Sequence, residues 1–364
     1  MASVALKNIS GVDLTIHDRE FVVLAGPEGC GHSTILRMIA GLAEVSPVEI
    51  LLAERRINEV PPAERDMAFL SGNYTPYPRM SVYENLAIAL DHRRFAKPEI
   101  SKRVLAVAEM FGLEKELEIN PRSLSPEQQR RLGLARALVL QPKVYLFDQP
   151  FSGLGPDGAR RARAEIRKLH QRSSATIIYA TSDPAEAMAL GERTVLLEEG
   201  VVRQDADALT IFREPADLFV AGFFGDPPMN FIRGTLRQER DGLLFSEDGD
   251  GTIAFRLPAS RLNGAKDFVG KSIVCGIRPE EIEIASSGAE TDRSAVGFRA
   301  LVERAEPEGT ATDLYLQTGA HGLICRSRRW IDPAEGGHRL QFEIQLGNLH
   351  FFDPASGRRI MAES

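Results

Sequence analysis

Two kinds of hydrophobic pattern divide this chain. In the first, short continuous apolar runs alternate with stretches of helical spacing. EFVVLAG (20–26) is rich in β-branched residues and ends in glycine, which predicts a buried strand. HSTILRMIAGL follows, with Ile35, Leu36, Met38 and Ile39 on one helical face. KVYLFDQP (143–150), TIIYATS (176–182) and RTVLLEEG (193–200) read as three more buried strands, and helical patterns occupy 127–140, 157–172 and 184–190. Strands alternating with helices predict an α/β domain with a mainly parallel sheet. The second pattern begins near GDPPMN (225–230). TIAFRLP, SIVCGIRP, EIEIA, LYLQTG, RLQFEIQL and LHFFDP alternate with period two and are punctuated by Gly, Asp and Pro. They predict a small all-β barrel or sandwich.

Composition narrows the classes. A length of 364 residues corresponds to two domains or three. Apolar content of 43% and charged content of 26% are those of a globular protein with a full core. The net charge of -7 argues against nucleic acid as a partner. The basic run RRARAEIRK (160–168) reads as a solvated helix face. No apolar stretch reaches the ~18 residues of a membrane span, and the N-terminus lacks the form of a secretion signal. Any membrane association is therefore expected to run through a partner. Cys30, Cys275 and Cys325 are far apart and unpaired in sequence, which predicts a reduced, disulfide-free chain without structural zinc.

The candidate chemistry starts at GPEGCGHST (26–34). The pattern G-x-x-x-x-G-K-[ST] cradles phosphate with backbone N–H groups at a helix N-terminus. Gly26, Gly29, Cys30, Gly31, Ser33 and Thr34 fit it, and it lies between a predicted strand and a predicted helix, as the pattern requires. His32 stands at the lysine position.

Five further motifs follow in order: PPAERDMAFLSGNYTPYPRMSVYENLA (61–87), LSPEQQRRLGLARAL (124–138), VYLFDQPFSGLGPDGAR (144–160), TSDPAEAMAL (181–190) and FVAGFFGDPPMNF (219–231). Together with CGIRPEEIEI (275–284), they resemble the ATPase subunits of ABC importers of the maltose-importer type, which serve sugars and polyols. The resemblance covers nearly the whole chain. It implies an ABC-type nucleotide-binding domain over residues 1–227 and an OB-fold-type regulatory β domain over 228–364. It implies ATP and Mg²⁺ as cofactors, with Ser33 and Asp148 holding the ion.

Departures from the family pattern fall on its chemistry. His32 replaces the lysine that contacts the phosphates, a loss of about 1.5–3 kcal/mol for one charge-assisted contact. Glu28 adds a negative charge to the same loop. Gln149 replaces the catalytic glutamate after Asp148, and a general base contributes about 10²–10⁴-fold in rate. Ser182 replaces the switch histidine. Gly72 falls at the Q-loop glutamine when YPRM is the anchor, with Ser71 the alternative for a one-residue slip. Family members carry an aromatic platform for adenine some way before the phosphate loop. Here the segment is short, and no Tyr, Trp or Phe precedes Phe21. The signature loop LSGGQ becomes LSPEQ, keeping Ser125 and Gln128 but placing Pro126 and Glu127 where two glycines are expected. The D-loop aspartate is Gly155.

The resemblance, with these departures, implies a degenerate ATP-binding subunit that lacks an intact catalytic set and binds ATP weakly or not at all at its own site. Its expected partners are a second, competent and different ABC ATPase subunit, two transmembrane permeases and, through them, a periplasmic or surface substrate-binding protein. The expected cargo is a sugar, a polyol or glycerol, and the location is the cytoplasmic face of the bacterial inner membrane, held peripherally. The segment from Asn73 to Met80, with Tyr74, Tyr77, Pro78 and Met80, is expected to receive the permease. An active homodimeric transport ATPase and a non-transport regulator are the alternative readings.

Overall fold

The computed structural model describes residues 3–9, 12–44, 48–72, 74–240, 242–257, 265–285, 295–328, 330–331 and 337–360. Asn73, the first residue of the expected docking segment, lies outside them. The chain divides into two compact units, Met1–Ala208 and Leu209–Ser364.

The first unit is built on a six-stranded sheet among the described residues. Its strands are β3 (Phe21–Ala25), β6 (Met67–Ser71), β7 (Val144–Asp148), β8 (Thr176–Thr181), β9 (Arg193–Glu198) and β10 (Val201–Ala206). The order is β10-β9-β3-β8-β7-β6, and all neighbours run parallel except the β9–β10 pair. β3, β7 and β8 are buried along their whole length, which explains their unbroken apolar runs. A second, antiparallel sheet joins β1 (Val4–Ile9), β2 (Val12–Ile16), β4 (Glu49–Leu52) and β5 (Arg55–Arg56).

Alternation along the central strands sorts side chains to two faces. Val22, Leu24, Val144, Leu146 and Ile178 pack with Ile35, Leu36 and Ile39 of α1 (His32–Ala40). Tyr145, Phe147 and Tyr179 form ring contacts on the other face, joined by Phe21 and Phe151. The remaining helices of this unit are α2 (Val82–His92), α3 (Lys97–Phe111), α4 (Pro126–Leu138), α5 (Pro156–Arg172) and α6 (Pro184–Leu190).

The second unit opens with two short helices, α7 (Ala208–Arg213) and α8 (Leu218–Phe223). It then forms two five-stranded antiparallel sheets among the described residues. One contains β11 (Asn230–Glu239), β12 (Gly242–Glu247), β13 (Ala254–Arg256), β14 (Ser272–Ile277) and β20 (His350–Phe352). The other contains β15 (Ile282–Ile284), β16 (Ala295–Glu308), β17 (Ala311–Gln317), β18 (Gly322–Ser327) and β19 (Arg339–Gln345). Phe245, Phe298, Phe342 and Cys325 share one core, so the sheets enclose a single apolar interior.

Candidate nucleotide site

Parallel strands place ligands beyond their C-terminal ends, and that edge of the sheet carries the loop 26–34. Gly29 and Gly31 adopt positive φ values of 82° and 104°, a backbone that glycine takes without a Cβ penalty. A Cβ at Gly26 would run into the Leu197 carbonyl and the Cys30 thiol. Gly31 caps α1, so the first amides of that helix point into the loop. The loop is tied down from outside: the Gly26 N–H donates to the Thr181 carbonyl at 3.3 Å and the Gly200 N–H to the Cys30 carbonyl at 2.8 Å.

Ser33 Oγ donates to Asp148 Oδ1 at 2.6 Å, joining the loop to the end of β7. Asp148 is 5% exposed and Thr34 is exposed. His32 is buried. Its Nδ1 lies 2.8 Å from Cys30 Sγ and its Nε2 lies 3.4 Å from Gln149 Nε2. Burial pushes the imidazole below its ordinary value, with the nearby Asp148 carboxylate pulling the other way. The ring is therefore neutral at pH 7 and both of its nitrogens face groups of this chain. Burial likewise raises the Cys30 thiol, which stays protonated.

Gln149 itself sits at φ 46°, a left-handed backbone that costs a non-glycine residue about 1 kcal/mol or more. Two backbone hydrogen bonds hold it there, from its N–H to the Ala180 carbonyl and from the Ser152 N–H to its own carbonyl. Gly72 follows β6 directly, and its N–H donates to the Asp148 carbonyl at 2.7 Å. Its missing side chain matters, because a Cβ there would stand 2.8 Å from the Gln149 carbonyl oxygen. Gln149, Ser182 and Glu28 line one cavity of about 510 Å³, so three sequence-distant segments meet at one place. Behind it, Glu186 accepts hydrogen bonds from Tyr179 Oη at 2.7 Å and Thr181 Oγ1 at 2.8 Å. Burial raises its carboxyl above the usual carboxylate range.

β1 and β2 pair antiparallel, with Val4 opposite Ile16 and Ile9 opposite Val12.

The residues 125–128 serve α4. Ser125 is its N-cap and Pro126 its first residue, a favoured place for proline. Ser125 Oγ accepts from the Gln128 N–H at 3.2 Å, and Gln128 Oε1 accepts from the Ser125 N–H at 2.9 Å. This reciprocal capping box satisfies two otherwise orphaned donors. The Glu127 carboxylate lies beside Gly158 in the first turn of α5, where a helix N-terminus favours negative charge, and 3.8 Å from Arg131.

The segment 74–80 is held by residues that the sequence reading passed over. Asn85 of α2 is fully buried. Its Oδ1 accepts from the Tyr77 N–H at 2.8 Å, and its Nδ2 donates to the carbonyls of Tyr77, Met80 and Ser81. Arg136 of α4 stacks over Tyr74 and Tyr77 at 5.0 and 4.5 Å. The Tyr74 ring packs on Gly133, where a Cβ would come within 2.6 Å of it. Tyr77 stays 43% exposed, and Pro78 is exposed. Met80 stands at the lip of a groove of about 330 Å³ between α2 and α3. A lone asparagine in the apolar run VYENLAIAL was the available signal for Asn85.

A glycine-rich loop between β3 and α1, with Ser33 and Asp148 joined across it, defines a phosphate-loop ATPase domain, and an antiparallel β unit follows it. Comparison with known proteins agrees: the ABC transporter family model matches residues 9–152 and the MalK OB fold domain model matches 225–282. The sn-glycerol-3-phosphate import ATP-binding protein UgpC of Bordetella pertussis is 38% identical over 356 residues, 97% of this chain and 94% of its own. The oligosaccharides import ATP-binding protein MsmX of Bacillus subtilis is 37% identical over 354 residues, 97% of this chain and 94% of its own. The chain belongs to the ATP-binding subunits of ABC transporters, in the branch that carries a MalK-type OB fold domain. Membership implies ATP as the ligand of this loop, typically with Mg²⁺. The residues present fit the phosphate and the ion: Gly31 opens α1 at the loop, so the first amides of the helix are free of intrahelical partners, and Ser33 and Asp148 offer paired oxygens. Among the described residues no helix is long and apolar enough to cross a membrane.

Proposed function

We propose that this chain is the hydrolytically silent member of a pair of different ATPase subunits driving import of a sugar, a polyol or a glycerol derivative. The cargo class is supported by its relatives, which are named as import proteins for sn-glycerol-3-phosphate and for oligosaccharides. The observation that carries the reading is His32. Where the phosphate-loop pattern has a flexible cation, this chain has a buried neutral ring engaged with Cys30 and Gln149. A neutral ring supplies no charge to the phosphates, so nucleotide binding is weakened. Gln149 accepts no proton from water, Ser182 is no general base, and Gly72 has no side chain. Backbone amides and Ser33 with Asp148 still offer a phosphate and Mg²⁺ cradle, which suits a clamp better than a catalyst.

The exposed Tyr77 and Pro78, with Tyr74 and Met80, form the permease docking surface in this reading, held in shape by Asn85 and Arg136. The chain then rests peripherally on the cytoplasmic face of the membrane, and a substrate-binding protein delivers cargo from the far side. In such a pair, chemistry belongs to the partner's phosphate loop facing residues 125–128 of this chain.

Uptake assays on the assembled transporter test the division of labour. Replacing the partner's catalytic glutamate by glutamine should abolish uptake, whereas Asp148→Asn or Ser33→Ala here should cost much less. An Asp148→Asn complex that assembles yet transports no better than the partner's mutant would refute it.

A further inference from the structure

The opposite edge of the same sheet carries a second recess that the nucleotide chemistry does not use. It opens at the N-terminal ends of β7 and β8, between the last turns of α3 and α5, and has a volume of about 440 Å³. Lys143, Lys168 and Arg172 line it, and no carboxylate does among the described residues. Lys168 is paired with Glu165 at 2.7 Å. Lys143 and Arg172 have no ion-pair partner among the described residues. Helix-dipole complementarity accounts for Arg172 at the end of α5, but Lys143 lies on the segment before β7 and gains nothing from it.

Tyr145 supplies an independent observation. The residue is 1% exposed, lines the recess, and its hydroxyl has no hydrogen-bond partner among the described residues. Buried phenols ordinarily find one. Burial raises its pKa, so the group is a lasting donor. The Ser173 hydroxyl, which already accepts from the Ala175 N–H, can donate to a ligand. Met110 provides an apolar wall. Cations, a phenol donor and a hydroxyl converge on an anion of phosphate type, and the apolar wall with the volume leaves room for an organic body.

We propose that this recess binds a small phosphorylated organic molecule, with its phosphate between Lys143 and Arg172 and accepting from the Tyr145 hydroxyl. It is separate from the nucleotide loop and independent of whether that loop is silent.

Calorimetric titration of the full chain with glucose 6-phosphate, with inorganic phosphate and with unphosphorylated glucose tests this. Glucose 6-phosphate should bind, inorganic phosphate more weakly, and glucose not at all. The variant K143A/R172A should weaken binding by about 10-fold or more, and Tyr145→Phe by about 3-fold or more, because each loses a charge-assisted or buried donor. Tyr145→Phe keeps the ring stacked on Phe147, and the two cations are exposed, so unchanged thermal melts without ligand confirm intact folds. Ser33→Ala controls for the nucleotide loop and should bind normally. No heat with either phosphate up to about 10 mM, well beyond useful affinity, overturns the proposal. So does binding that survives K143A/R172A, or binding lost in Ser33→Ala alone.

Discussion

The phosphate loop and the segment 74–80 are both loops on rigid elements, and they spend their polar groups differently. In the phosphate loop the backbone is fully kept: positive-φ glycines, a helix N-terminus and the Ser33–Asp148 bond. At the lysine position stands a neutral side chain turned on its neighbours, His32 toward Cys30 and Gln149. In the segment 74–80 the side chains do the holding. One buried asparagine makes three hydrogen bonds to the loop backbone and a fourth to Ser81, and one arginine stacks on two tyrosines. The contrast separates two requirements. A cradle for an anion is a backbone property and survives changes of side chain. Catalysis is a side-chain property and does not.

That contrast can be broken first at Asn85. Asn85→Ala strands the Tyr77 N–H and the Met80 carbonyl, while the Tyr77 and Ser81 carbonyls keep backbone donors, and should cost about 3 kcal/mol in denaturant unfolding, with docking and uptake lost. A midpoint unchanged from wild type would show that the loop holds itself.

Gly72→Gln should cost about 1–3 kcal/mol, because the new Cβ meets the carbonyl oxygens of Gln149 and Asp148 at 2.8 and 3.3 Å and backbone yields little. The quadruple change His32→Lys, Gly72→Gln, Gln149→Glu and Ser182→His is the fair test of restored hydrolysis, and this strain predicts that Gly72→Gln limits it. If Gly72→Gln melts like wild type, the tight approach to β7 is wrong.

Glu186 sharpens the comparison by pH. Its folded pKa is raised above the ordinary 4.5, chiefly by burial. Between 4.5 and the raised value the folded state holds more protons than the unfolded chain, so stability falls as pH rises through that window. Glu186→Gln keeps an oxygen to accept from Tyr179 and Thr181 and removes the buried charge. It should stabilise the chain at pH 7–8 by up to about 1 kcal/mol, with the gain vanishing near pH 4.5. Destabilisation at pH 7–8 that disappears near pH 4.5 would mean that the charge itself is needed.

Gln149→Glu alone should have the smallest effect, leaving the chain without measurable hydrolysis, since catalytic groups that act as a unit are not additive.

Much of this was legible beforehand, for physical reasons. β3, β7 and β8 are buried on both faces, so their apolar runs are unbroken, and the glycine pattern at 26–31 marks the loop between β3 and α1. Other features were hidden. β11 and β16 escaped the period-two reading. In β16 the alternation of Phe298, Ala300 and Val302 is interrupted by a register shift between Val302 and Arg304, which breaks the pattern midway. The S-x-x-Q spacing of Ser125 and Gln128 also carried a capping-box signature, but read as part of a signature loop it pointed outward to a partner. Asn85 and Arg136 were hidden because polar residues on helices ordinarily face water, and only packing shows which ones turn inward to hold a loop.

The most direct test of the central claim is steady-state phosphate release by the purified chain with ATP and Mg²⁺. The neutral His32, Gln149, Ser182 and the bare Gly72 predict release no faster than buffer. Turnover near the ~1–10 s⁻¹ usual for enzymes would show that this chain is a working ATPase.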